Sequence, residues 1–142
     1  MKICMIGSGY VGLVTGTCFS DLGNVVICVD TDKAKINNLN NGVLPIYEPG
    51  LHELVSKNKK LNRLYFSTDI NSSVKKSDII FICVGTPTKK NGSGADLSQV
   101  YSVAKEISKS INKYKIIITK STVPVTTGDE IEKILSKKNK KK

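Results

Sequence analysis

Tryptophan is absent from the 142 residues, histidine occurs once, at His52, and aromatic residues make up only 6%. A single histidine rules out any metal site built on two imidazoles, and His52 falls in a stretch that reads as a half-exposed helix. The four cysteines, Cys4, Cys18, Cys28 and Cys83, share no C-x-x-C spacing, and each lies in a run that reads as buried. That pattern argues against a disulfide framework or a bound metal and for free thiols in a reducing cytoplasm. No apolar run approaches the roughly 18 residues of a membrane span. The opening Met1 to Ile6 meets Gly7 too soon for a signal-peptide core, so a cytoplasmic protein without a membrane partner is expected.

Negative charge is the scarcer sign: 12 Asp and Glu face 22 Lys and Arg, a net charge of +10. Lys137, Lys138, Lys140, Lys141 and Lys142 supply half of that excess in the terminal "KKNKKK". The other lysines are scattered and not interleaved with aromatics, so no nucleic-acid partner is expected. Residues 137–142 read as a disordered lysine-rich tail on one domain, 1–136.

What the chain does have is an alternation of two patterns. Residues 2–6, 25–29, 64–67, 79–84 and 115–119 are short, continuously apolar, β-rich runs, as in strands covered on both faces. Between them, residues 10–22, 32–41, 51–57, 69–76 and 96–112 carry helical spacing. Asp96 is expected to cap the helix that follows it, and Thr127 with Glu130 to form a capping box for a last helix. Pro49 is expected at the first position of the helix over 51–57. With right-handed crossovers this order gives a doubly wound α/β sheet of the Rossmann type, five parallel strands in the order 3-2-1-4-5, ending before the customary sixth.

Gly7, Gly9 and Gly12 in "MIGSGYVGLVTG" form G-x-G-x-x-G where the first strand hands over to the first helix. Glycine in an element interior costs about 0.5–1 kcal/mol against alanine. The pattern offsets that cost if the first glycine turns the chain, the second admits a pyrophosphate and the third lets helix and strand pack closely, with Gly16 extending the contact. A tight strand-to-helix turn alone would also use these glycines. Asp30 decides between the two: it ends the second strand, eighteen positions beyond Gly12, where a carboxylate accepts from an adenosine ribose. The same carboxylate repels a 2′-phosphate, which favours NAD over NADP. Lys33 and Lys35 read as solvated helix positions, with Lys35 also placed for a ribose contact.

Together with "VDTDKAKINNLNNG", "PIYEPGL", "FICVGTPT", "ADLSQV" and "KSTVPVTT", the glycine turn resembles the N-terminal domain of the UDP-glucose/GDP-mannose dehydrogenase family from Met1 to about Leu135. The resemblance implies an NAD-dependent, cytoplasmic oxidoreductase that oxidises the C6 alcohol of a nucleotide sugar to a carboxylate in two hydride transfers, the whole enzyme being a homo-oligomer. It implies that Gly7, Gly9, Tyr10, Val11 and Gly12 line the pyrophosphate and that Asp30 and Lys35 hold the adenosine ribose. Thr86 would touch the cofactor, and Thr122 would sit by the nicotinamide and the reacting carbon. On local sequence alone Thr86-Pro87 also reads as a turn, and Ser121-Thr122 as a strand end.

One departure is Thr126-Thr127, where the family pattern has glycine then threonine; a β-branched residue there conflicts with any turn needing positive φ. The thiol, lysine and aspartate that carry the family's chemistry lie in motifs further along than these 142 residues. The chain is therefore expected to be a fragment, a truncated gene product or one part of a split enzyme. On that footing it binds NAD, contains no catalytic residue unless Thr122 serves, and turns nothing over alone. UDP-glucose is the favoured sugar of the whole enzyme, ahead of GDP-mannose and UDP-N-acetylated sugars. A non-catalytic NAD-binding module with the lysine tail as a docking arm is the other reading.

Overall fold

The computed structural model describes residues 1–90 and 92–139. Five strands, β1 (Lys2–Ile6), β2 (Val25–Val29), β3 (Leu64–Ser67), β4 (Ile79–Ile82) and β5 (Ile116–Thr119), form one sheet in the order β3-β2-β1-β4-β5, every pair parallel. This is the expected Rossmann-type order. Among the described residues six helices connect or follow them, two of these between β2 and β3: α1 (Tyr10–Asp21), α2 (Lys33–Asn40), α3 (Leu51–Lys60), α4 (Ile70–Lys76), α5 (Ser98–Ser110) and α6 (Thr127–Asn139). α6 takes in 137–139 of the lysine-rich stretch, and the remainder of the expected disordered tail, 140–142, lies outside the described residues.

Why the strands lack hydrophobic alternation is visible in where their side chains go. Successive side chains of a strand leave opposite faces, and here both faces are covered. Ile3 and Met5 of β1, Val26 and Cys28 of β2 and Phe81 of β4 join Leu13, Leu39 and Val55 in one core beneath α1–α3. Cys4, Ile6, Val29, Ile80 and Ile82 join Val74, Val100, Ala104 and Ile107 in a second core beneath α4–α6. The central strand residues are therefore apolar on both faces, as a parallel sheet with helices on both sides requires, while Lys2, Tyr65 and Ser67 stand at strand ends or on the outer strand β3.

Several local expectations need correction. Thr127 is the first residue of α6 rather than its cap, and its buried hydroxyl has no partner among the described residues, so no capping box forms with Glu130. Thr126 and Gly128 have no positive φ, so the threonine that departs from the family pattern introduces no strain. Asp96 accepts from the Ser98 amide at 2.9 Å, but α5 starts one residue later than this cap implies, with Leu97 at the N-cap position. Pro49 lies outside α3, whose N-cap is Gly50 in a left-handed conformation at φ 79°. Cys18, expected in the core, is exposed on α1, whereas Cys4, Cys28 and Cys83 are buried. α1 buries small and hydroxyl residues, Gly16, Thr17 and Ser20, and mixes them with apolar ones around the helix, so its spacing could not say which of its side chains face outward.

Candidate functional site

The carboxyl ends of β1, β2 and β4 meet in a cavity of about 550 Å³. Backbone hydrogen bonds knit its floor: the Gly7 amide donates to the Val29 carbonyl at 2.8 Å, and the Cys83 amide to the Ile6 carbonyl at 2.8 Å. Gly7 adopts φ +103°, and a Cβ there would meet the Cys83 carbonyl oxygen at 2.7 Å. Gly12 is tighter, because a Cβ would stand 1.8 Å from the Gly7 carbonyl oxygen. These two glycines let α1 and β4 close on the turn, while Gly9, the N-cap of α1, faces open space with nothing within 4 Å of a Cβ.

No side chain caps α1, and its first turn carries no acidic residue. Helix geometry leaves the first N–H groups unpaired and the dipole's positive end facing the cavity. The Ser8 hydroxyl is buried with no partner among the described residues. Bare backbone on the open side of Gly9, free amides and an orphaned hydroxyl in one turn fit a bound diphosphate.

Asp30 closes the second side. Its carboxylate accepts from the Ser8 amide at 3.0 Å, the Asp32 amide at 3.0 Å and the Lys35 ammonium at 2.9 Å. Partial burial alone would raise its pKa, but the Lys35 ammonium and the two amides outweigh it and hold the carboxyl below the ordinary carboxylate range. Lys35 is itself positioned by the start of α2, where Asp32 caps the helix by accepting from the Lys35 amide at 3.0 Å. The arrangement presents an ionised acceptor at the rim of the cavity, suited to a vicinal diol and hostile to a phosphate.

Of the residues singled out in the sequence, Gly7, Gly9, Asp30 and Lys35 line this cavity. Gly12 packs behind it. Tyr10 and Val11 contribute the backbone of the first helical turn, and their side chains are half exposed. The Tyr10 hydroxyl donates to the Glu48 carboxylate, which pushes the phenol pKa up. Thr86 and Thr122 lie outside the cavity but meet each other, the Thr86 hydroxyl donating to the Thr122 carbonyl at 3.0 Å. Ser121 adds a bond from its hydroxyl to the Val84 carbonyl at 2.7 Å, so the segments after β4 and β5 are held together.

Sequence reasoning missed the far wall, made by Thr68, Ile70 and one face of α5. The signal was present in the spacing of Gln99, Ser102, Val103 and Glu106, which share a helix face. What it adjoins depends on packing between segments distant in the chain. Cys83 also reaches the cavity, yet burial pushes its thiol up to about 11, so it is protonated at neutral pH. Among the described residues no three His, Cys, Asp or Glu side chains gather as a metal site, and no helix is long and apolar enough to cross a membrane.

A sequence model of the UDP-glucose/GDP-mannose dehydrogenase family, NAD binding domain, matches residues 1–142. The chain is 51% identical to the UDP-glucose 6-dehydrogenase of Rhizobium meliloti and 55% identical to UDP-glucose 6-dehydrogenase TuaD of Bacillus subtilis. Each match covers 98% of this chain, and 32% and 30% of those proteins. The solved GDP-mannose dehydrogenase of Pseudomonas aeruginosa superposes with a TM-score of 0.92 at 39% identity, over 100% of this chain and 33% of that one. The chain thus spans about a third of the length of the curated relatives it matches.

Proposed function

The chain belongs to the UDP-glucose/GDP-mannose dehydrogenase family, and on that premise we propose that it is the cofactor-holding part of a UDP-glucose 6-dehydrogenase. The observation that carries this reading is the cavity itself, with the open side of Gly9 and the free start of α1 at one end and the Asp30–Lys35 pair at the next. Bound there, NAD supplies the hydride acceptor for oxidising the sugar C6 alcohol. This chain's residues bind and orient: Gly9 and the amides of the first helical turn receive the diphosphate, and Asp30, kept ionised and aimed by Lys35, accepts from the ribose hydroxyls. Thr86 and Thr122, joined across the β4 and β5 ends, stand toward the reacting end. UDP-glucose is preferred as the sugar because the relatives at 51% and 55% identity carry that name.

The base, anion stabiliser and nucleophile of the oxidation do not come from these residues. Cys4, Cys28 and Cys83 are buried with raised thiol pKa values, and Cys18 does not line the cavity. A reducing cytoplasm suits these free thiols, and the complete enzyme is a homo-oligomer in this reading. Calorimetry on the 142-residue protein tests it: heat with NAD at millimolar concentration, much weaker binding of NADP, and no steady-state turnover of UDP-glucose. Absence of NAD binding by folded protein overturns the reading, and turnover well above background overturns the assignment of the chemistry to other residues.

A further inference from the structure

The only histidine of the chain stands in another cleft, of about 300 Å³, between the end of α2 and one side of α3. α3 contributes His52, Ser56, Lys59 and Lys60, whose spacing puts them on one side of the helix, and the end of α2 contributes Asn40 and Asn41. No residue lines both this cleft and the cofactor cavity, and among the described residues no acidic side chain lines it. The carbonyls at this end of α2 are already taken. The Asn41 amide donates to the Asn37 and Asn38 carbonyls at 3.0 Å, the Val43 amide to Asn38 at 2.8 Å and the Gly42 amide to Leu39 at 3.1 Å. The Lys59 ammonium donates to the Leu39 and Asn40 carbonyls at 3.2 and 2.5 Å and lies 5.9 Å from the centre of the Phe66 ring. It thereby offsets the negative end of the α2 dipole and keeps one of its three N–H groups for a ligand. Among the described residues the side chains of Asn40, Asn41, His52, Ser56 and Lys60 have no hydrogen-bond or ion-pair partner. Donors and positive charge are left over, with no carbonyl of the helix end to meet them.

We propose that this cleft binds a phosphoryl group, as free phosphate or at the end of a small phosphate ester. The inference stands apart from the cofactor reading above. A phosphoryl group brings close to two negative charges and three acceptor oxygens at neutral pH. Lys59 and Lys60 meet the charge as compact ammonium groups, the Ser56 hydroxyl and the two asparagine amides donate to the oxygens, and His52 adds a further donor and, when protonated, a further charge. The volume is about ten times the roughly 30 Å³ that one water occupies in the liquid, which leaves room for a small organic group beside the phosphate.

The test follows the imidazole Hε1 signal of the 142-residue protein by NMR through a pH titration, in phosphate and in chloride of equal ionic strength. With one histidine in the chain and no histidine tag added, that signal belongs to His52 alone. Phosphate should raise the midpoint of the titration by about half a pH unit or more, which corresponds to about threefold tighter binding to the imidazolium form. Lys60→Ala should remove most of that rise. Lys57→Ala deletes the same charge from an ammonium that pairs with Asp21 outside the cleft, and should retain it. Glycerol 3-phosphate separates the two sources: a larger rise than with inorganic phosphate at equal concentration assigns the cleft to an ester, and an equal or smaller rise assigns it to the free anion. A midpoint that is the same in phosphate and chloride, or a rise that Lys57→Ala and Lys60→Ala lower equally, overturns the proposal.

Discussion

Asp30 and Asp78 stand at opposite ends of the same sheet and make nearly the same bonds. Asp30, after β2, accepts from the Ser8 amide and the Lys35 ammonium; Asp78, before β4, accepts from the Lys2 amide at 3.2 Å and the Lys113 ammonium at 2.6 Å. In both, these partners hold the carboxyl below its ordinary pKa. What differs is the neighbourhood. Around Asp78 the amino ends of the strands are tied off: the Ile116 amide donates to the Asp78 carbonyl and the Asp78 amide to the Lys2 carbonyl, while buried Lys115 donates to the Ser77 carbonyl. Around Asp30 the backbone is left open at Gly9, and a cavity remains. Much the same ion pair is a clasp where the surrounding backbone groups are saturated and borders a cavity where they are left open.

The strongest way to break that contrast is at the glycines. Gly12→Ala drives a Cβ into the Gly7 carbonyl, backbone against backbone. It should cost about 3 kcal/mol or more in thermal unfolding and abolish NAD binding. Gly9→Ala meets nothing, so it should melt close to the parent protein while losing NAD affinity, because its methyl occupies the space kept for the diphosphate. Equal melting temperatures for the two variants would show that the turn is not packed as described.

Next in size, Asp30→Ala should weaken NAD by about 10- to 100-fold, the range for hydrogen bonds to a charged group. Asp78→Ala should lower the melting temperature and leave calorimetric NAD affinity unchanged. If the two variants exchange these effects, the functional end of the sheet has been misplaced.

The smallest effect is on acid unfolding. Both carboxyls have depressed folded-state values, so their contribution to stability is present above the ordinary carboxylate range, near about pH 4, and is lost as pH falls through the folded values. Asp30→Asn combined with Asp78→Asn should flatten the decline in stability below about pH 4 and leave its value at pH 7 to 8 independent of pH. An unchanged acid slope, followed by circular dichroism, would mean that other carboxylates govern it.

Much of the site was readable because its parts are local. Gly7, Gly9 and Gly12 fall within six residues of one turn, and Asp30 directly follows the next strand, so spacing alone brings them near each other. Unreadable features are those set by neighbours far along the chain. Cys18 shares its face of α1 with Val11 and Val14, and the buried face carries Gly16, Thr17 and Ser20, so hydrophobic spacing pointed the wrong way. Thr127 matched a capping box letter for letter, yet the turn over 125–126 moved the helix start and left its hydroxyl buried. The Thr86–Thr122 bond joins segments 36 residues apart and depends on β4 pairing with β5.

From the sequence alone came the parallel sheet, its strand order and the glycine turn at one end of the cavity, because unbroken apolar runs and a glycine turn act over a few residues and admit few arrangements. Only the tertiary structure decided which face of α5 would wall the cavity, that Asp30 would line it while Asp78 ties the amino ends of the strands, and that Lys35 would be tied to Asp30. Those outcomes depend on which backbone groups remain unpaired after the strands and helices have packed, and that is a property of the assembled sheet.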